Sequence, residues 1–142
     1  MNKIINGKRY NTDTAERVGE WDNGFNYNDF NYTGEELYRK KSGEFFLYGE
    51  SGALGKYAVN VGNMRSGGEE IVPFSDAEAR QWAEEHLSGD EYESIFGVVE
   101  EEKETIRLNV EITREENEKL QAEAKRYGKT KSEIIRNLIA KL

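Results

Sequence analysis

The 142-residue chain contains no cysteine, a single histidine (His86) and a single proline (Pro73). The missing thiols exclude disulfides, thiolate metal sites and a cysteine nucleophile. One imidazole is too few for a histidine-based metal cluster. No stretch approaches the roughly 20 consecutive apolar residues that span a bilayer. The opening Met-Asn-Lys-Ile-Ile-Asn-Gly lacks the apolar core of a signal peptide, so a cytoplasmic location is expected. Catalytic signatures are also missing. No serine, aspartate and histidine fall into a nucleophile elbow, and the carboxylate pairs Glu69-Glu70 and Glu84-Glu85 read as solvated charge. Gly55-Lys56 suggests a phosphate loop, but five residues separate Gly49 from Gly55 where four are needed, and Tyr57 stands where Ser or Thr is required. Neither an enzyme nor a cofactor is expected.

Charge and aromatic residues are unevenly distributed. Residues 1–97 carry 10 Lys and Arg against 18 Asp and Glu, a net charge of −8, whereas residues 105–142 carry 9 against 6, a net charge of +3. Of the 16 aromatic residues, 15 precede Gly97 and only Tyr127 follows it. This asymmetry predicts two modules with different partners: an acidic α+β protein-binding domain over 1–97 and a mildly basic domain over 105–142. Between them lies the acidic linker 98–104.

The first module reads as a small antiparallel sheet with one or two helices. Asn6-Gly7 between β-prone residues predicts a hairpin. Asp13 and Glu16, with Gly19 as a stop, suggest a short helix from Thr12 to Gly19. The Asn-rich aromatic run Trp21 to Tyr32 reads as loop or irregular strand, filling the core of the domain or presenting a protein-binding surface. Glu36–Arg39 and Glu44–Tyr48 form an expected hairpin across Lys40-Lys41-Ser42-Gly43. Gly49 to Gly68 reads as a loop, and Ile71 to Phe74 as a last strand. Ser75 and Glu78 make a capping box for a helix ending near Leu87, where His86 caps or packs. A shorter helix, Asp90 to Phe96, closes at Gly97.

The second module has a different grammar. Ile106, Leu108, Val110 and Ile112 alternate with Thr105, Arg107, Asn109 and Glu111, a period of two with one apolar face. Thr113 and Glu116 form a capping box for a helix carrying Leu120, Ala124 and Tyr127 on one side, and Gly128 ends it. Thr130 and Glu133 form a second box before Ile134, Ile135, Leu138, Ile139 and Leu142. One strand cannot pair with itself, and two short helices cannot bury these aliphatics alone. A homodimer is expected, its core built from Ile106, Leu108, Val110, Ile112, Leu120, Ile134, Ile135 and Leu138.

This strand, helix, Gly128, helix order, with Thr-Lys-Ser-Glu-Ile-Ile-Arg opening the second helix, resembles the ribbon-helix-helix family of DNA-binding proteins, the class of the Met, Arc and plasmid copy-control repressors. The resemblance implies a two-stranded intermolecular ribbon whose polar face enters the major groove of double-stranded DNA. Its base-facing residues are then Arg107, Asn109 and Glu111. Arg suits guanine and Asn suits adenine, whereas Glu111 departs from the pattern because a carboxylate repels phosphate. Thr130, Lys131 and Ser132, at a helix start, are the implied phosphate contacts. A pure dimerisation module is the alternative for this segment.

In the first module, Tyr38-Arg-Lys-Lys-Ser-Gly-Glu-Phe-Phe-Leu-Tyr-Gly-Glu and Pro73-Phe-Ser-Asp-Ala-Glu-Ala-Arg-Gln-Trp-Ala-Glu resemble a small domain of Gram-positive mobile elements. Some proteins carrying that domain are type II-A anti-CRISPRs, which inhibit Cas9. The resemblance implies a phage or plasmid accessory protein whose first domain inhibits a host protein such as Cas9, and whose second domain dimerises it and represses its own promoter. The alternative is a plain ribbon-helix-helix transcriptional regulator, antitoxin-like and without CRISPR activity.

Overall fold

The computed structural model describes residues 1–142 and is of the α+β class. Eight strands and four helices divide into two compact units, Met1–Glu100 and Glu101–Leu142. No helix is long and apolar enough to cross a membrane.

The first unit opens with the hairpin β1 (Asn2–Ile5) and β2 (Lys8–Asn11). Asn6 and Gly7 both have positive φ, 50° and 78°, the conformation that makes Asn-Gly the preferred tight turn. A four-stranded antiparallel sheet follows, in the order β3 (Glu16–Asp22), β4 (Thr33–Arg39), β5 (Phe45–Ser51), β8 (Gly68–Phe74). The expected β4–β5 hairpin is present, extended by three residues at each outer end. The last strand likewise begins earlier, and Pro73 sits on the outer strand β8, where its missing N–H costs no ladder bond.

The helix expected over Thr12 to Gly19 does not form. Asn11 takes those donors into a turn: its carbonyl accepts from Thr14 and Ala15, and its side chain accepts from the Asp13 amide at 2.9 Å. The chain then enters β3. Gly19 is no helix stop; it lies under Leu87 and Trp82, where an added Cβ would come within 3.0 and 3.1 Å of them. The run after Trp21, itself in β3, is a loop tied by its own polar side chains. Asp22 accepts from the Gly24 amide at 2.8 Å, Asp29 from the Asn31 amide at 2.8 Å, and Asn23 bridges Asn31 and Thr33.

Gly49 to Gly68 is also more ordered than its glycines suggest. Gly49 lies within β5, where the Tyr57 ring covers it so closely that a side chain would collide. Val59–Val61 (β6) and Met64–Ser66 (β7) form a separate small hairpin.

Helices α1 (Asp76–His86) and α2 (Gly89–Phe96) begin with complete capping boxes at Ser75/Glu78 and Ser88/Glu91. They cover one sheet face, where Leu37, Phe45 and Leu47 pack with Ala79, Trp82 and Ala83. The opposite face is covered in part by the β1–β2 hairpin, with Tyr10 against Tyr38, Phe46 and Ile71. Two-residue alternation along β4 and β5 supplies both cores from the same strands.

In the second unit, α3 (Arg114–Tyr127) has the Thr113/Glu116 capping box and ends on Gly128 in the left-handed region, φ 63°. Helix α4 (Lys131–Ile139) starts at Thr130, but its box is only half formed. The Thr130 hydroxyl accepts from the Glu133 amide, while the Glu133 carboxylate takes the Thr130 hydroxyl instead of the backbone N–H. The strand expected over residues 105–112 is not formed within the single chain: these residues join no ladder and pair with no strand, because no partner strand lies in this unit.

Candidate DNA- and protein-binding surfaces

In the second unit the alternating aliphatics stand in solvent: Ile106 is 89% exposed, Leu108 72%, Val110 64% and Ile112 47%. Of the other expected core residues, Ile134 is buried, Leu120 is half-buried, and Ile135 and Leu138 are exposed. The packing of α3 on α4 therefore buries Ile134, half-covers Leu120 and leaves the other expected core residues exposed within this chain.

Arg107, Asn109 and Glu111 are exposed and take part in no side-chain hydrogen bond or ion pair of the chain. Their spacing of two places them on one side of any strand they form. At the start of α4, the Thr130 hydroxyl is occupied as the helix cap. The backbone amides of Lys131 and Ser132 have no acceptor in the chain, as first-turn amides of a helix do not. The Lys131 ammonium donates to the Asn117 side chain at 2.9 Å, so phosphate would have to displace that bond.

The first unit carries a feature not read from the sequence. On the outer sheet face, beyond the area covered by the β1–β2 hairpin, Glu20 is directly opposite Glu36, and Glu50 is directly opposite Glu69. With Asp22, Tyr32 and Tyr48, these residues line two concavities of about 330 and 310 Å³ that share Tyr32 and Glu50. Tyr27 walls the second, its ring 5.3 Å from that of Tyr32. The Tyr48 hydroxyl donates its one proton to Glu69 at 2.6 Å, with the Glu50 carboxylate 3.2 Å from the same oxygen, and the Tyr38 hydroxyl donates to Glu36 at 2.6 Å. Burial and the Glu36 carboxylate together push the Tyr38 phenol up to about 12. Burial and the Glu69 and Glu50 carboxylates push Tyr48 up as well. One cation reaches this face: Arg17, 3.5 Å from Glu20 and 3.6 Å from Glu36. Other cations of the unit, Lys8, Arg9, Lys40 and Lys41, line a separate cleft. The i, i+2 spacings Glu20/Asp22 and Tyr48/Glu50 placed these groups on common faces, but their opposition needed the register.

On the helix side of the sheet, the carboxylate of Glu35 is 2% exposed. It accepts from the Tyr57 hydroxyl, from Lys56 Nζ at 2.9 Å and from Trp82 Nε1 at 3.2 Å. Burial alone would raise its pKa; the bonds from Tyr57, Lys56 and Trp82 outweigh that and hold it below the usual carboxylate range. His86 packs at its helix end, its ring 4.3 Å from Trp21 and 5.2 Å from Trp82, with Nε2 3.9 Å from Glu35. Every donor here is matched and the carboxylate is closed to solvent. The arrangement fastens the 52–58 loop to β4 and α1 and offers no room for a substrate.

Comparison with known protein families, curated sequences and solved structures finds no match to this chain.

Proposed function

We propose that this protein is a dimeric DNA-binding repressor of the ribbon-helix-helix type whose acidic first unit binds and inhibits a basic host protein. One observation above all supports this reading. Four aliphatics alternating over Ile106 to Ile112 are 47–89% exposed, and no strand of the same chain pairs with them. An exposed segment with this alternating pattern gains a buried face and backbone partners only by pairing as a strand with another chain. A second copy supplies an identical one, in the isologous arrangement most homodimers adopt. Pairing two copies doubles Arg107 and Asn109 into a polar array on the ribbon's other face, with chemistry suited to base edges. The +3 charge of residues 105–142 favours DNA, while the −8 of residues 1–97 disfavours it.

The first unit accordingly takes a protein partner. Its resemblance to the mobile-element domain found in type II-A anti-CRISPRs makes Cas9 the leading candidate. A cleavage assay with Cas9, guide RNA and target DNA, with and without the full chain, tests that assignment. Dose-dependent loss of cleavage supports it. Undiminished cleavage at saturating protein leaves a DNA-binding regulator without CRISPR activity.

A further inference from the structure

We infer that the groove on the outer sheet face of the first unit, from Glu20 and Asp22 past Tyr32 to Glu69, is the docking site for an arginine-rich protein segment. The inference rests on the reading of this unit as a binder of a basic protein, and it names the surface and the side chain recognised.

Two like-charged pairs face each other across strands there, Glu20 with Glu36 and Glu50 with Glu69. Such pairs oppose folding of the free protein. Arg17 offsets only the first pair; no cation lies within ion-pair distance of Asp22, Glu50 or Glu69. Two of the carboxylates are held by phenols: the Tyr48 hydroxyl donates to Glu69, with Glu50 3.2 Å from the same oxygen, and the Tyr38 hydroxyl donates to Glu36. Glu36 and Glu69 are thus oriented before any partner arrives, which reduces the ordering cost of binding.

The aromatic residues form a second, separate indication. Tyr27 is 67% exposed and stands beside Tyr32 over the groove. Phe30, on the same loop, is 70% exposed and adjoins Leu54, whose amide donates to the Phe30 carbonyl at 2.8 Å. An exposed apolar rim beside a polar groove is the composition of a protein interface.

The chemistry selects arginine. A guanidinium stacks on a tyrosine face while forking two N–H donors onto a carboxylate, and this groove supplies both partners side by side. Lysine provides only a point charge. No group of three or more of these carboxylates is placed to hold a metal ion. Two linked concavities suit successive residues of one segment.

The test uses the full chain and fluorescein-labelled oligo-arginine and oligo-lysine peptides of equal length, read by anisotropy at physiological salt. Glu50→Gln/Glu69→Gln is compared with Glu84→Gln/Glu85→Gln on α1, which changes net charge by the same amount. Docking at the groove predicts tighter binding of the arginine peptide than the lysine peptide. It predicts about tenfold weaker arginine-peptide binding by the groove variant and less than about twofold weakening by the α1 variant. The groove variant should melt no lower than the wild type, because the substitution relieves an opposed pair. Equal weakening by both variants, equal affinity for both peptides, or no binding would overturn the assignment. Peptide binding of the predicted kind without Cas9 inhibition would instead count against Cas9 as the partner and leave the groove assignment standing.

Discussion

Lys56 holds its ammonium 2.9 Å from the Glu35 carboxylate, an exposed lysine reaching in to a side chain that is 2% exposed. The two partners therefore contribute unequally. Glu35→Ala strands the Tyr57 hydroxyl and the Trp82 N–H without an acceptor and leaves a void, so it should cost about 3–5 kcal/mol. Lys56→Ala removes a 63% exposed partner and should cost about 1 kcal/mol or less. Urea denaturation followed by tryptophan fluorescence measures both, because Trp21 and Trp82 both lie in this unit. Equal losses would show that the carboxylate is not the centre of the cluster.

The same carboxylate gives the first unit a defined acid sensitivity. Its folded-state pKa lies below the ordinary value of 4.5. The stability it contributes is therefore fully present above about pH 4.5 and is lost as pH falls through the folded value. Glu35→Gln cannot titrate, so its urea midpoint should fall less steeply than the wild type's between about pH 5 and 3. Parallel slopes would remove Glu35 as the source.

Two glycines should respond oppositely to alanine. At Gly49 an added Cβ collides with the Tyr57 ring, whereas at Gly89 it meets nothing within 4 Å. Gly49→Ala should destabilise by about 1–3 kcal/mol. Gly89→Ala, in the first turn of α2, should be neutral or stabilise by up to about 1 kcal/mol. Thermal melts of the two variants decide the matter, and a neutral Gly49→Ala would mean that Tyr57 does not pack on β5.

Val110 and Leu138 are 64% and 56% exposed within the chain, so charging them disturbs little of its own packing. In a dimer both belong to the shared core. Val110→Asp and Leu138→Asp should each convert a dimer to a monomer by light scattering at micromolar concentration, with the first unit's thermal transition unchanged. A wild-type chain that is already monomeric, or variants that keep the dimeric mass, would remove the shared core.

What could be read from the sequence was local. The Asn6-Gly7 turn, the boxes at Ser75 and Thr113, and the Gly128 stop each rest on residues within four positions, and the structure has all of them. The Thr12–Gly19 helix failed because Asn11 competes for its first donors and because Gly19 is needed under Trp82 and Leu87. Those partners lie more than 60 residues away, beyond any window. The Glu35 cluster joins Glu35 to residues 21 to 51 positions away, and the opposed pairs Glu20–Glu36 and Glu50–Glu69 exist only once the register is known. Glu35 itself falls just outside the strand expected from Glu36, and its burial follows from facing α1.

The most direct test of the central claim is a fluorescence anisotropy titration of the full chain on its own promoter and on scrambled DNA across a salt series. A base-reading ribbon predicts salt-dependent binding with preference for the promoter. Arg107→Ala should cost about 1–3 kcal/mol on the promoter and little on scrambled DNA. Lys131→Ala should weaken both and lower the salt slope by about 1 for each phosphate it no longer neutralises. Glu111→Gln, by removing a charge repelled by phosphate, should tighten binding to scrambled DNA. Equal losses on both DNAs for Arg107→Ala would contradict base reading by this face, and no binding by the wild type to either DNA would reduce residues 105–142 to a dimerisation module.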